Sequence, residues 1–260
     1  MKNIALITGA SSGIGYELAK LFGADGTDML LVARSGDKLK KLQAELEQKH
    51  AGLKVYVLSA DLSAPDAAVH IYNFTQTQGL QVSWLVNNAG FGLYGNFHET
   101  DWQAEGQMIQ LNITALSQLT KLFLPGMLYA GKGRILNVAS IAAFVPGPFM
   151  AVYYATKAYV LSFSEAIAEE LKNKGITVTA LCPGPTETGF EEAANLQESK
   201  LFRGKKLPSA AEVAKFGYKA MMKGETVAIH GWDNKLMMLG IRFSPRFMVR
   251  KIVRWMSEKA

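Results

Sequence analysis

The chain has one cysteine, Cys182, in 260 residues, which excludes an intramolecular disulfide framework and a cysteine-rich metal site. Its four histidines, His50, His70, His98 and His230, show no metal-ligand spacing, so no metal is expected. No apolar run approaches the length that spans a bilayer. Strand-like residues begin at once in MKNIALITGA, leaving no room for a signal peptide, and a cytoplasmic location is the expectation. The sequons at Asn73 and Asn112 then carry no glycosylation meaning. Low-complexity segments and linkers are absent too, so residues 1–260 are expected to form a single domain.

Charge is scarce over most of the length. The formal net charge is +6, from 28 Lys+Arg against 22 Asp+Glu, and it is unevenly placed. Lys235, Arg242, Arg246, Arg250, Lys251, Arg254 and Lys259 face only Asp233 and Glu258 between Trp232 and Ala260, which puts +5 in the tail. The body is nearly neutral, and a nucleic-acid partner is not expected.

What is abundant is short runs of Val, Ile and Leu: NIALIT (3–8), DMLLVAR (28–34), KVYVLSA (54–60), SWLVNNA (83–89), GRILNVAS (133–140), GITVTALC (175–182) and ETVAIHG (225–231). Continuous apolar character, without alternation, marks strands buried on both faces. Helical spacing of apolar residues fills the intervals, including one long stretch from about 100 to 128. Strand–helix alternation predicts an α/β, doubly wound, mostly parallel sheet of about seven strands, the Rossmann arrangement, with helices on both faces. Ligands of such sheets sit beyond the carboxyl ends of the strands.

The first strand ends in TGASSGIG, Thr8 to Gly15, and a helix follows. Gly9, Gly13 and Gly15 allow a tight turn in which backbone N–H groups and the helix N-terminus meet a pyrophosphate, with Ser11, Ser12 and Ile14 between them. The same letters also fit G-x-S-x-G, a hydrolase nucleophile elbow centred on Ser11, with Asp61 and His230 as distant triad partners. Against it, no earlier strand–loop exists to supply a second oxyanion donor. About twenty residues past the glycines, where an NAD site expects an acid, the second strand ends in Ala33, Arg34 and Ser35. Arg34 favours a 2′-phosphate, hence NADP(H). Asp61, followed by Leu62, ends the third strand and suits either an adenine amino group or a loop cap.

Later motifs join this turn: NNAG (87–90), Ser140 ending the fifth strand, YYATK (153–157) and PGPTET (183–188). In order and spacing from Thr8 to Thr188 they resemble the short-chain dehydrogenase/reductase family; the turn NNAGFGLYG and the basic tail are closest to its broad-specificity bacterial oxidoreductases. Helix geometry by itself lets both Tyr153 and Tyr154 approach Lys157, while Tyr159 points elsewhere. The family's Y-x-x-x-K pattern selects Tyr153 as the acid–base, its phenol pKa lowered by Lys157. The resemblance further implies that Lys157 holds the nicotinamide ribose and that Ser140 bonds the substrate oxygen. It gives Asn112 a water linking the lysine to solvent. Asn88, Ala89 and Gly90 would shape the cofactor turn, and Pro183, Gly184, Thr186 and Thr188 would border the nicotinamide. The implied activity is NADP(H)-dependent hydride transfer with a small-molecule carbonyl or alcohol substrate, in a homodimer or homotetramer. A catalytically silent NADP(H)-binding sensor or scaffold is the alternative, which the intact Ser140–Tyr153–Lys157 set argues against.

Residues 187–207 lie where the family keeps its substrate loop. Phe190, Leu196, Leu201 and Phe202, with Phe91, Leu93, Phe144, Phe149 and Met150 opposite, would make an apolar pocket. In the tail, about 233–260, a final helix is expected from Ser244–Pro245, with Met248, Val249, Ile252, Val253, Trp255 and Met256 on one arc and basic residues on the other. Such a helix packs on the body or on a second subunit, or lies on a membrane surface as a peripheral contact.

Overall fold

Among the residues described by the computed structural model, 2–190 and 207–258, the strands form one sheet. They are β1 (Lys2–Thr8), β2 (Met29–Ala33), β3 (Val55–Ser59), β4 (Leu80–Asn87), β5 (Gly133–Val138), β6 (Ile176–Cys182) and β7 (Val227–Ile229). Their order is β3-β2-β1-β4-β5-β6-β7, and every pairing is parallel. Each predicted run is a strand, and the fold class is as expected.

Alternation along each strand divides the core between two faces. Ala5, Ile7, Met29 and Leu31 pack with helices α1 (Gly13–Ala24), α2 (Gly36–Lys49) and α7 (Ala210–Lys223). Ile4, Leu6, Leu30 and Val32 pack on the other side with α3 (Ala67–Thr77) and α5 (Leu116–Ala130). Because both faces are covered, the strands carry no solvent-facing polar side, which is why their sequences read as mainly apolar runs. On α2, Leu39, Leu42 and Leu46 recur at helical spacing and are fully or almost fully buried. The same helix protects the sheet edge, since Gln43 Nε2 donates to the Val55 carbonyl (2.6 Å) and Glu47 accepts from the Val55 N–H (2.9 Å).

Three expectations change. The stretch from 100 to 128 is not one helix: α4 (Trp102–Ile109) and α5 flank a π-helical turn, Gln110–Ala115. The wider turn sets Asn112 inward, and π-turns concentrate at functional sites. Helix α7, absent from the sequence-based reading, starts with a reciprocal capping box between Ser209 and Glu212. Finally, the tail makes two helices, α8 (Trp232–Phe243) and α9 (Arg246–Ser257). Ser244 does not cap α9; its hydroxyl turns back to the Gly240 carbonyl (2.9 Å) and closes α8 instead.

Phe22 anchors the α1–α7 face. It is fully buried, edge-on to Tyr218 (4.9 Å between centroids) and to Trp84 (6.3 Å). Phe22→Ala is expected to cost about 3–5 kcal/mol of unfolding free energy, read as a lower urea midpoint.

Candidate active site

The strand order reverses direction at β1 and β4, where the connection after β1 runs to one face and that after β4 to the other. A crevice therefore opens between their carboxyl ends. Thr8 Oγ1 donates to the Val86 carbonyl (3.2 Å) and accepts from the N–H groups of Asn88 (3.0 Å) and Ala89 (3.1 Å). Asn88 Nδ2 donates to the carbonyls of Thr8 (2.9 Å) and Gly9 (3.2 Å). These bonds tie the glycine turn to the NNAG segment. Gly9 has φ +66°, and a Cβ there would lie 2.7 Å from Asn88 Nδ2. At Gly15 a Cβ would collide with the Gly9 carbonyl oxygen. Ser12, at the N-cap of α1, makes no side-chain capping bond, and the first turn carries no acid. The first N–H groups of α1 are thus left for an anion.

From this turn a cleft of about 610 Å³ runs across the sheet's carboxyl edge. It is lined by Gly9, Ser11, Ser12, Gly13, Ile14, Arg34, Ser35, Asp61 and Leu62 at one end and by Asn88, Ala89 and Gly90 in the middle. Ser140, Tyr153, Lys157, Pro183, Gly184, Thr186 and Thr188 line the other end. An elongated dinucleotide fits this donor set: a glycine cradle with free helix N–H groups, then an arginine at the adenosine end and a hydroxyl cluster at the reactive end. Two expected site residues do not line the cleft. Gly15 lies beneath the turn and acts through its missing Cβ. Asn112 is buried and spent within the protein: Nδ2 donates to the Phe91 carbonyl and Thr156 Oγ1 (both 3.0 Å), and Oδ1 accepts from the Phe91 N–H (3.3 Å).

Arg34 and Ser35 stand exposed just past β2, and Arg34 makes no ion pair with any described residue. Asp61 caps its own loop, accepting from the N–H (2.9 Å) and hydroxyl (2.7 Å) of Ser63; these bonds hold its carboxyl below the usual range. The topology removes the hydrolase alternative. Asp61 follows β3 and His230 follows β7, at opposite sheet edges, roughly 29 Å apart over six strand spacings. Cys182 is no nucleophile either, since burial pushes its thiol up to about 12.

At the reactive end, Ser140 follows β5 and starts a 3₁₀ turn, Ile141–Phe144, its Oγ accepting from the Ala142 N–H (3.1 Å). Helix α6 (Ala151–Glu170) places Tyr153 and Lys157 one turn apart, both buried and both lining the cleft. Lys157 Nζ donates to the Val138 carbonyl (2.8 Å) and sits 5.7 Å from the centre of the Tyr153 ring. The expected lowering of the Tyr153 phenol by Lys157 is not what this arrangement gives. Burial dominates and raises the Tyr153 pKa, with only a hydrogen bond to Ser140 opposing it. Burial also brings Lys157 down to about 8. Tyr154 lines the cleft edge-on to Tyr153, its own pKa raised by burial, whereas Tyr159 is half-exposed, stacked on Phe163 and paired with Ser117.

The apolar wall is partly as expected. Phe91, Met150 and Phe190 line the cleft, with the Phe190 ring 5.3 Å from that of Tyr153. Leu93 packs behind them. Phe144 faces away, into a separate cluster with Val160 and Leu161. Leu196, Leu201 and Phe202 fall outside the described residues, as does most of the expected loop 187–207. Sequence reasoning missed Tyr94, whose hydroxyl donates to the Ser257 carbonyl (2.9 Å) and so fastens α9 beside the wall. It also missed Asn87, Asn137 and Thr156, polar positions inside apolar runs that signal buried hydrogen bonding.

A buried lysine held at about 8, against 10.5 when unfolded, binds fewer protons folded than unfolded between those values. Stability therefore rises with pH across that window, by on the order of 1 kcal/mol per unit. Tyr153 and Cys182 shift the opposite way at higher pH, so the comparison to make is with Lys157→Met. Urea unfolding at about pH 7.5 to 10, with no cofactor added, is expected to show the wild type gaining on that variant as pH rises. Parallel curves would contradict it.

Residues 3–199 match the family model described as short chain dehydrogenase. The chain is 30% identical over 262 residues to a very-long-chain 3-oxoacyl-CoA reductase of Mus musculus, covering 98% of this chain and 79% of the relative. It is 34% identical over 186 residues to the Rattus norvegicus protein of the same description, covering 69% of this chain. The aligned region spans 58% of that rat relative and 53% of a Laccaria bicolor one. Among solved structures, a short-chain dehydrogenase from Sphingobium yanoikuyae in complex with NADPH superposes with a TM-score of 0.82 at 31% identity, covering 94% of both chains. A bulky-bulky ketone specific alcohol dehydrogenase from Comamonas testosteroni gives 0.78 at 28%, covering 94% of this chain and 92% of that one. With the glycine turn, the switch-point cleft and the Ser140–Tyr153–Lys157 cluster in place, the chain belongs to the short-chain dehydrogenase/reductase family of NAD(P)(H)-dependent oxidoreductases.

Proposed function

We propose that this chain is an NADPH-preferring carbonyl reductase acting on an apolar ketone of 3-oxoacyl type. The observation that carries the reading is the buried Tyr153 phenol beside Ser140 and Lys157, walled by Phe91, Met150 and Phe190. Burial keeps that phenol protonated at neutral pH, so it enters the reaction as an acid, the role that carbonyl reduction needs. The preference for NADPH is supported by Arg34 beyond β2, with no carboxylate at the strand tip, and by the NADPH-bound relative. The substrate class draws support from the 3-oxoacyl-CoA reductase relatives and from the apolar wall.

The glycine turn would hold the pyrophosphate, Arg34 the adenosine 2′-phosphate, and Lys157 the nicotinamide ribose. A nicotinamide held by these residues would supply the hydride that the carbonyl carbon needs. Ser140 Oγ, fixed by the Ala142 N–H, orients the carbonyl oxygen, and Tyr153 Oη passes its proton to that oxygen as charge develops. The Lys157 ammonium, its pKa brought down by burial, is the group one helical turn away that can return a proton to the phenolate left behind.

Tyr153→Phe removes the donor and is expected to lower kcat by about 10²–10⁴-fold, with NADPH affinity by fluorescence titration nearly unchanged. Tyr154→Phe is the control and is expected to keep turnover; activity surviving in the Tyr153 variant alone would sink the assignment. Arg34→Ala loses a charge-assisted bond of about 1.5–3 kcal/mol, so KM for NADPH should rise roughly 10- to 100-fold with NADH little affected. Equal effects on both cofactors would place Arg34 outside the phosphate site. An NADPH-oxidation screen of 3-oxoacyl thioesters against bulky ketones tests the substrate class.

A further inference from the structure

The two tail helices have inner faces that the fold explains and outer faces that it does not. On α9 the expected single apolar arc is split. Val249 is buried, and Val253 packs against the cluster that contains Tyr153 and Tyr154. Arg254 lies over the Phe149 ring at 5.5 Å, and the Tyr94 hydroxyl reaches the Ser257 carbonyl. Met248, Ile252 and Trp255, at i, i+4 and i+7, remain on the outside. On α8, Met238 is buried, while Trp232, Leu236, Leu239 and Phe243 form an outward stripe at i, i+4, i+7 and i+11. Trp232 is 86% exposed and Phe243 83%. Of the large apolar side chains exposed among the described residues, most lie on these two helices. Scattered exposed apolar residues are ordinary; a stripe repeated on consecutive helices is not.

Basic side chains flank the stripes: Lys235 and Arg242 on α8, and Arg246, Arg250 and Lys251 on α9, all exposed. Acids are few here, and Glu258 is paired with Arg254 (3.6 Å). We propose that the outer faces of α8 and α9 form a docking surface for an anionic lipid bilayer, on which the protein lies without crossing. Neither helix is long and apolar enough to span a membrane. Apolar stripes bounded by Lys and Arg, with a tryptophan near each end, match the chemistry of the headgroup boundary, where buried apolar area and charge attraction add. A second copy of the chain is disfavoured as occupant, because a twofold contact would set this basic surface against itself. On the inner face of α9, Val253 packs against the cluster that contains Tyr153 and Tyr154, so docking sets that cluster one helix away from the lipid. The inference rests on the tail's surface and not on the catalytic reading.

Flotation of the full chain tests it, using vesicles of phosphatidylcholine alone and of equal parts phosphatidylcholine and phosphatidylglycerol. Recovery with the anionic vesicles is expected to exceed that with neutral ones by about tenfold and to fall in high salt. Leu236→Glu with Phe243→Glu should abolish flotation, and Arg250→Glu with Lys251→Glu should abolish the anionic preference. All four positions are exposed, so NADPH affinity should stay at the wild-type value in both variants and report an intact fold. Equal recovery on both vesicle types overturns the proposal, as does flotation unaffected by either double variant. A wild type that fails to float, and whose mass by light scattering drops in the Leu236/Phe243 variant, overturns it in favour of a subunit contact.

Discussion

The site depends on one stitch, between the ends of β1 and β4. Thr8 Oγ1 receives two N–H groups from the NNAG segment, and Asn88 returns two bonds to the carbonyls of Thr8 and Gly9. Each bond contributes only about 1 kcal/mol net. Their value is geometric, because the glycine turn has no side chains of its own with which to hold a shape. Gly9 and Gly15 are closed over by the Asn88 amide and by backbone, so this crossing leaves no room for a Cβ. The free N–H groups of α1 point into the cleft because the turn is pinned from the β4 side.

A second set of polar bonds fixes the reactive end. Asn87 Nδ2 donates to Asn137 Oδ1 (2.9 Å) and Thr120 Oγ1 (3.2 Å), and Asn137 Nδ2 donates to Ser164 Oγ (2.9 Å). This chain crosses β4 and β5 and ends on α6, the helix that carries Tyr153 and Lys157. About two turns nearer the start of α6, Asn112 joins the π-turn to Thr156 and to the Phe91 backbone. Buried polar groups are costly when unpaired and rigid when paired. Here the rigidity sets the register of α6 against β5, so that the Lys157 ammonium meets the Val138 carbonyl and the phenol meets Ser140. The same burial that confers rigidity keeps both groups away from their solution pKa values, in opposite directions.

The tail extends this logic outward. Helix α9 is fastened behind the site through Tyr94, Phe149 and the cluster around Tyr154, so its inner face backs the site while its outer face meets solvent. Phe149 itself holds φ +67°, an uncommon conformation for an aromatic residue, and its carbonyl accepts from the Gly95 N–H (2.8 Å). The mouth of the cleft is thus braced from both the loop after β4 and the tail.

Much of the fold was legible because a parallel sheet covered on both faces writes itself as apolar runs, and the glycine turn because only glycine fits there. The position of Lys157 four residues after Tyr153 was legible for the same local reason, and the five ordered motifs named the family. Local periodicity could not show what depends on distant partners. The π-turn at Asn112 exists because Phe91 and Thr156 lie across from it, and the break between α8 and α9 arises where Ser244 turns back to Gly240. The sign of the Tyr153 shift is likewise non-local, since helical spacing reports the nearby lysine but not the burial that raises the phenol pKa. What the sequence determined by itself was the class of chemistry, through residue types at fixed spacing. Tertiary structure decided the protonation of those residues and which half of the tail's apolar arc turns inward, because both follow from burial, and burial is set by elements far apart in the chain.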